Sequence, residues 1–210
     1  MNLPVLIVGG GGHARVLIDC LRLLGATVIG VLDRNPALVG RELSGAPILG
    51  DEESIAAHRP GEVALVNGLG WTGGGAPRAA LFTAYRALAY RFRSVIHPSA
   101  VVARDATLGE GVQIMAGAIV QTGCAIGDNA LIYTRASIEH DCVIGEHAYV
   151  GPGVTLTSSV RVGARTLLDT GAVVALGVAI GSGCTVPVGG IVRRDLADGA
   201  TLESSHATKD

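Results

Sequence analysis

The most regular feature of the chain is a six-residue repeat of apolar positions in its second half. Every sixth position from Ile96 to Val192 is Ile, Leu or Val, which gives seventeen consecutive matches. If one residue in three were of these types, such a run would arise by chance roughly once in 10^8 trials. A second track, four residues after the first, holds small or slim residues such as Ala118, Cys124 and Ala130. Neither a helix nor an alternating strand produces both tracks.

The two tracks together predict a parallel β-helix of hexapeptide repeats, in which short strands and tight turns wind into a triangular prism. Three hexads form one coil, so seventeen hexads predict nearly six coils and a stack on the order of 27 Å tall. The aliphatic track fills the interior, and the small track lies where the chain turns. Known hexapeptide β-helices are left-handed, and we expect the same hand here. Glycines that follow aliphatic positions, such as Gly127 and Gly145, suit tight backbone turns.

The first ninety residues predict alternating strands and helices instead. Their order indicates a βαβαβ unit, half of a doubly wound Rossmann-like fold. We therefore predict an α/β domain over residues 1–93, a left-handed β-helix over 94–197 and a polar C-terminal tail over 198–210. The predicted elements are strands at 3–8, 27–32 and 62–67, and helices at 13–24, 52–58 and from Pro77 to about Tyr90.

Composition restricts the partners of the protein. The net charge of −2 provides no strong field to attract nucleic acid or an anionic membrane. The first apolar stretch is interrupted at Gly9 and lacks a basic leader, so it predicts neither a signal peptide nor a membrane span. We expect a cytoplasmic protein that binds neither nucleic acid nor membrane.

The four cysteines predict no metal site. Cys124, Cys142 and Cys184 all fall on the small-residue track, and Cys20 falls in an amphipathic helix. Free cysteine behaves as a small hydrophobic residue, so these positions are interpreted as buried packing residues. No CxxC pair is present to indicate structural zinc.

A glycine-rich motif follows the first predicted strand. Residues 9–14 fit the pattern G-x-G-x-x-A, and Asp33 follows near the spacing of an acid that holds a ribose. Such glycines let backbone N–H groups and a helix N-terminus approach a phosphate. The chain leaves the sheet after one half of the fold, which favours a mononucleotide or nucleotide-linked ligand over NAD. A glycine-rich turn without a ligand remains the alternative.

His140 is the second candidate for chemistry. It follows an inward aliphatic residue by two positions, so its side chain should project from the prism. A neutral imidazole can accept a proton near neutral pH, and the neighbouring Asp141 would orient it and stabilise its charged form. A solvated surface histidine is the alternative interpretation. His147 and Tyr149 are candidates to line the same groove.

The chain resembles the sugar O-acyltransferases of the sialic acid O-acetyltransferase type. This family includes bacterial N-acetyltransferases that act on nucleotide-linked 4-amino sugars. The resemblance covers almost the whole chain. It rests on the glycine-rich start at 8–16, the segment Val-Ile-His-Pro-Ser-Ala at 95–100, Ile-Glu-His-Asp-Cys-Val-Ile-Gly at 138–145 and Gly-Pro-Gly at 151–153.

The resemblance implies an acetyl-CoA-dependent transferase that N-acetylates a nucleotide-linked amino sugar in bacterial surface glycan biosynthesis. It also implies a homotrimer with acetyl-CoA between neighbouring prisms, and a nucleotide sugar on the N-terminal domain. His140 would be the catalytic base and Asp141 its supporting acid, with a backbone N–H near Ser158 as the oxyanion donor. The implied substrate-binding residues are Gly11, Gly12, His13, Asp33, Arg34 and Gly68, and the implied acetyl-CoA-binding residues are Tyr149, Ser158, Thr170 and Val188.

Three alternatives stay open at the level of sequence. The acceptor could be a hydroxyl, as in O-acetylation of sialic acid or a related sugar. A non-catalytic scaffold that binds nucleotide sugars would keep the glycines and hexads without needing His140. A β-helix carbonic anhydrase would need three histidines around zinc, and His140 and His147 have no third partner at matching spacing.

Overall fold

A computed structural model describes residues 3–203 of the chain. Two compact units divide between Pro98 and Ser99. Of the predicted tail at 198–210, residues 204–210 lie outside the described part of the chain.

The N-terminal unit contains a five-stranded sheet and two α-helices. The strand order is β3-β4-β2-β1-β5, and every neighbouring pair is parallel except β3 with β4. The predicted half-Rossmann arrangement is confirmed. The strands of this sheet are β1 (Val5–Val8), β2 (Val28–Leu32), β3 (Glu42–Leu43), β4 (Ala46–Gly50) and β5 (Ala64–Asn67), and a short strand outside it is β6 (Val95–Ile96). The helices are α1 (Gly12–Leu23) and α2 (Ala76–Ala87), and 3-10 turns span Pro36–Leu38, Glu52–Ala57 and Gly73–Gly75.

The hairpin of β3 and β4 has no counterpart in the sequence prediction. Pro47 lies inside β4 and glycines flank the strand, and both features weaken a strand signal. The segment predicted as a short helix at 52–58 forms a 3-10 helix, with Asp51 accepting hydrogen bonds from the amides that follow it. Helix α2 stops before Tyr90, because Ala89 adopts a left-handed conformation with φ of +65°.

The C-terminal unit is a β-helix whose strands pair at a spacing of eighteen residues, one coil of three hexads. Fourteen aliphatic-track residues, from Ile114 to Val192, are buried, so the predicted interior is confirmed. The strands are β7 (Val101–Val102), β8 (Thr107–Leu108), β9 (Gln113–Ile114), β10 (Ile119–Val120), β11 (Ala125–Ile126), β12 (Leu131–Ile132), β13 (Ser137–Ile138), β14 (Val143–Ile144), β15 (Tyr149–Val150), β16 (Thr155–Leu156), β17 (Arg161–Val162), β18 (Leu167–Leu168), β19 (Val173–Val174), β20 (Ala179–Ile180), β21 (Thr185–Val186) and β22 (Ile191–Val192).

Three columns of left-handed residues mark the corners of the prism, with φ between +55° and +70°. We name each corner by one member. The His147 corner contains Gly111, Asn129, His147, Arg165 and Gly183, the Gly171 corner contains Gly117, Arg135, Gly153, Gly171 and Gly189, and the Asp141 corner contains Gly123, Asp141, Ser159 and Gly177.

Within residues 3–203, only one of the three faces displays a charged side chain on its strands, Arg161 of β17. One of the two uncharged faces is the outer side of the sheet formed by β7, β10, β13, β16, β19 and β22. This Val173 face lies between the Gly171 and Asp141 corners, because β19 connects Gly171 to Gly177. Its outward residues are Val101, Ile119, Ser137, Thr155, Val173 and Ile191.

Candidate active site

His140 and Asp141 occupy one turn of the Asp141 corner. The Asp141 carboxylate Oδ2 lies 2.8 Å from His140 Nδ1, and both side chains are about half exposed. Because a carboxylate accepts hydrogen bonds, this contact favours the tautomer that carries its proton on Nδ1. Nε2 then keeps a lone pair with which it can accept a proton from a substrate.

Hydrogen bonds between coils fix the main chain of this turn. The Asp141 amide donates to Thr122 O at 3.0 Å, and the Ser159 amide donates to His140 O at 2.9 Å. Ser158 O accepts a hydrogen bond from Gly177, whereas the Ser158 amide donates to no main-chain carbonyl within residues 3–203. The Ser158 amide is therefore available to stabilise an oxyanion.

Two of the predicted acetyl-CoA residues lie at a different corner from His140. Thr170 and the largely exposed Val188 belong to turns of the Gly171 corner. A groove of about 720 Å³ follows this corner past Thr170. A Cβ atom at Gly153 or Gly171 would meet nothing within 4 Å, so the groove is open along its glycines. The groove is lined by Ser99, Ala116, Gly117, Thr134, Arg135, Pro152, Gly153, Thr170 and Gly171.

Tyr149 and His147, the other residues considered for the His140 groove, have different surroundings. The Tyr149 ring packs against Tyr133 with centroids 5.4 Å apart, and burial raises the pKa of Tyr149 to about 12. The phenol therefore keeps its proton at physiological pH. His147 is buried at its own corner, where Nδ1 lies 2.9 Å from the Asn129 side-chain nitrogen. The suggestion that His147 lines the groove of His140 is therefore wrong.

The four cysteines are buried, as predicted from the repeat for Cys124, Cys142 and Cys184 and from the amphipathic helix for Cys20. Burial raises the pKa of Cys142 to about 11 and also raises that of Cys124. The Cys142 thiol donates to Thr157 O at 3.2 Å. A protonated, buried thiol is a poor nucleophile, so the geometry favours the imidazole of His140 as the reactive group.

The N-terminal unit contains a cavity of about 750 Å³ beyond the carboxyl ends of its strands. Gly9, Asp33 and Leu69, which follow β1, β2 and β5, contribute to its lining. The strand order reverses at β1, and ligands of open α/β sheets bind at such a switch point. An apolar stripe of α2 forms one wall through Pro77, Ala80, Leu81, Ala84, Tyr85 and Leu88.

Asp33 and Arg34 are the predicted nucleotide-sugar residues that line this cavity; Gly11, Gly12, His13 and Gly68 are outside its lining. Asp33 Oδ2 accepts a hydrogen bond from the Gly10 amide at 2.7 Å, and Oδ1 accepts one from the Asn35 amide at 2.8 Å. Asp33 thus shapes the glycine loop in addition to facing the cavity.

The remaining predicted glycines have two distinct environments. A Cβ atom at Gly11 or Gly12 would meet nothing within 4 Å, so the start of α1 is open to a ligand. A Cβ atom at Gly68 would collide with Gly9 O, so Gly68 is required for close packing of the strand ends. His13 is buried in the first turn of α1.

An ion pair at the cavity was not predicted from the sequence. Arg34 Nε lies 2.5 Å from Glu52 Oε1, and Arg34 Nη2 lies 3.1 Å from Glu52 Oε2. This two-point contact raises the pKa of the largely exposed Arg34. Tyr85, whose pKa is raised to about 12 chiefly by burial, adds a neutral hydroxyl beside Glu52. Glu52 and Tyr85 come from segments distant in sequence, which is why no local motif reveals them.

Residues 3–203 contain no group of three His, Cys, Asp or Glu side chains placed to hold a metal ion. Within the same residues, no helix has the length and hydropathy needed to span a bilayer.

Two sequence families match the chain: the PglD N-terminal domain over residues 4–71, and the bacterial transferase hexapeptide (six repeats) over 105–136 and 123–158. PerB from Caulobacter crescentus, solved with CoA and GDP-perosamine, is 39% identical, with a TM-score of 0.87 over 94% of this chain and 92% of PerB. The acetyltransferase domain of PglB from Neisseria gonorrhoeae FA1090, solved with acetyl coenzyme A, is 27% identical, with a TM-score of 0.87 over 96% of each chain. A comparison with curated protein sequences finds no match.

The fold and the histidine–aspartate pair define a hexapeptide-repeat acyltransferase. The chain belongs to the sugar acetyltransferase family, with a PglD-type N-terminal domain and a hexapeptide β-helix. The resemblance and the fold class inferred from the sequence are both confirmed.

Proposed function

We propose that the protein transfers the acetyl group of acetyl-CoA to the amine of a nucleotide-linked amino sugar for bacterial surface glycan biosynthesis. The observation that carries this proposal is the contact of Asp141 with Nδ1 of His140 at the prism surface. The 39% identity to PerB, which binds CoA and GDP-perosamine, supports this substrate class. A cytoplasmic location suits these two soluble substrates.

The polar groups of the Asp141 corner support a direct transfer reaction. The sugar amine attacks the thioester carbonyl carbon, and His140 Nε2 accepts the proton that the nitrogen loses. Asp141 stabilises the charged imidazole, and the Ser158 amide donates to the developing oxyanion, a contact typically worth about 2.7 to 4 kcal/mol. The carbon–sulfur bond then breaks, and the imidazolium returns its proton to the departing CoA thiolate. The acetyl group passes directly between substrates without an acyl-enzyme.

The groove at the Gly171 corner suits the narrow pantetheine arm of acetyl-CoA. Its lining consists mostly of small residues, and Thr170 lies within it. Val188 extends the same corner by one coil. His140 and Ser158 belong to the other edge of the Val173 face. One acetyl-CoA molecule that contacts all four residues would therefore lie between two copies of the chain.

A threefold arrangement brings these corners together. If three prisms place their Val173 faces toward a common axis, the Asp141 corner of one copy meets the Gly171 corner of the next. Val101, Val173 and Ile191 expose apolar surface on this face, which such contacts would cover. We therefore propose a closed homotrimer with three active sites, each shared by two protomers.

Replacement of Val173 by glutamate is expected to dissociate the trimer, because it places three carboxylates near one axis. Multi-angle light scattering at micromolar concentration should detect the 21.3 kDa monomer in place of a species three times heavier. Val143→Glu is the matched control. Val143 is 43% exposed, against 38% for Val173, but lies on another face. An intact trimer in Val173→Glu would contradict this arrangement.

The cavity of the N-terminal unit is the proposed site for the nucleotide. The α2 stripe offers an apolar surface to a base, while Arg34 and Tyr85 offer polar groups at its edge. The open amides at the start of α1 would hold the diphosphate, since a helix N-terminus favours negative charge. A GDP-linked amino sugar is the first substrate to test, given the GDP-perosamine bound by PerB.

Gly11→Leu should weaken nucleotide-sugar binding at least tenfold without unfolding the protein. Gly11 has φ of −80°, which any residue adopts, and its Cβ direction is open. The added side chain therefore blocks the ligand and not the fold. Isothermal titration with GDP and with acetyl-CoA measures the effect, and Asp19→Leu places the same side chain at an exposed position of α1. Unchanged GDP affinity in Gly11→Leu would exclude this loop from the nucleotide site.

The test of the function is a transfer assay that follows release of the CoA thiol. Acetyl-CoA is combined with GDP-, UDP- and CDP-linked amino sugars and with sialic acid. Turnover with an amino-sugar nucleotide and a mass gain on its amine are expected. Turnover with sialic acid alone would assign O-acetylation, and binding without turnover would assign a nucleotide-sugar-binding scaffold.

A further inference from the structure

Gly123 lies at the same corner as Asp141, one coil earlier. Its φ is +70°, and a Cβ atom on this residue would collide with Oδ1 of Asp141. The Asp141 carboxylate therefore occupies the space that a side chain at position 123 would fill. We propose that Gly123 is a positioning residue that keeps Asp141 in contact with His140, an inference that rests on the proposed function.

The contact at Gly123 and the contact at His140 depend on the same carboxylate. Oδ1 lies over Gly123 while Oδ2 lies 2.8 Å from His140 Nδ1. The main chain of Asp141 is held by its hydrogen bond to Thr122 O. A methyl group at position 123 must therefore displace the carboxylate rather than the backbone, and this movement withdraws Oδ2 from Nδ1.

The turn beneath Asp141 is itself anchored by the preceding coil. Asp105 Oδ2 accepts a hydrogen bond from the Thr122 hydroxyl at 2.6 Å and one from the Gly123 amide at 3.1 Å. The bond from Thr122 is the main cause of the lowered pKa of Asp105, so this carboxylate stays charged at neutral pH. A line of contacts thus runs from Asp105 through Gly123 and Asp141 to His140.

Backbone conformation alone does not explain glycine at position 123. Asp141 and Ser159 adopt the same left-handed conformation at this corner, with φ of +60° for each. Gly183 has φ of +66° at another corner, and its Cβ would meet nothing within 4 Å. A side chain is therefore tolerated in this conformation, and Gly123 differs because Asp141 fills the space beside it.

Gly123→Ala is compared with Gly183→Ala, which carries the same left-handed alanine away from the site. In the acetyl-transfer assay, kcat of Gly123→Ala should fall 10- to 100-fold with unchanged KM for acetyl-CoA, while Gly183→Ala stays within twofold of the wild type. The loss should disappear in an Asp141→Ala background, because Gly123 acts through the side chain that this variant removes. Losses that multiply in the double variant would overturn the proposal.

Nitrogen-15 spectra of the His140 ring provide a readout that needs no substrate. The wild type should carry the proton on Nδ1, and Gly123→Ala should lose this preference as Asp141→Ala does. Asp105→Ala, which releases the Thr122–Gly123 turn, should shift the spectrum in the same direction. An unchanged Nδ1 signal in Gly123→Ala would overturn the positioning role. If the wild type acetylates no amino-sugar nucleotide, the proposed function fails, and these spectra alone decide the role of Gly123.

Discussion

Replacement of His140 by alanine is expected to lower kcat for acetyl transfer by roughly 10^2- to 10^4-fold, the usual contribution of general base catalysis. The KM for acetyl-CoA should change little, because the half-exposed ring supports no part of the prism. Nε2 is the nitrogen that remains available once Asp141 engages Nδ1. Steady-state kinetics with an amino-sugar nucleotide provides the measurement.

Two further variants test whether the loss of activity in His140→Ala reflects base catalysis rather than a thiol nucleophile. Asp141→Asn should cost less than His140→Ala, because the base remains while the charge that supports it is lost. Cys142→Ala should be nearly silent, since burial keeps that thiol protonated. Full activity in His140→Ala would remove the proposed mechanism. Loss of turnover in a folded Cys142→Ala protein would point instead to a thiol nucleophile.

The β-helix could be predicted almost residue by residue because every six-residue repeat meets the same packing requirement. Each hexad must place one aliphatic residue inside a narrow prism, and Ile114, Ile132 and Val150 do so at successive turns of one sheet. The interpretation of the glycines was less accurate. Gly127 has no positive φ, and a Cβ there would lie 2.6 Å from the Glu146 amide nitrogen. Glycine is needed there for close approach of two coils rather than for a turn.

The candidate site was only partly visible in the sequence. Adjacent residues such as His140 and Asp141 can be recognised as a pair, because their spacing limits how far apart they lie. The partners of Arg34 and Asp141 come from other turns of the chain, so no local pattern reveals Glu52 or Gly123. The hairpin containing Pro47 was not predicted for a related reason. Its strand β4 is defined by pairing with β2, which is distant in sequence.

The two edges of the Val173 face have complementary properties. One edge carries a polarised imidazole and an available amide, and the other carries an open groove of small residues. Neither edge alone has both a base and a channel for the acetyl donor. In the proposed homotrimer, assembly of the prisms would create the active site, and the catalytic rate would be a property of the trimer.

Two inactive variants that damage opposite edges are therefore expected to restore activity when they form mixed trimers. His140→Ala removes the base, and Thr170→Trp fills the groove at the Gly171 corner. A shared site needs His140 from one protomer and an open groove from the next. A closed trimer that contains both variants has one complete interface among its three, whichever variant is present twice. The purified mixed trimers should therefore work at about a third of the wild-type rate.

Co-expression of the two variants with different affinity tags, followed by tandem purification, isolates the mixed trimers for the acetyl-transfer assay. The control pairs His140→Ala with the double variant His140→Ala/Thr170→Trp, in which no interface contains a base under either arrangement. Recovered activity in the first mixture and none in the control would support a site shared between protomers. If the first mixture stays as inactive as its separate components, each site must lie within one prism, because only then can two intact edges on different chains fail to cooperate.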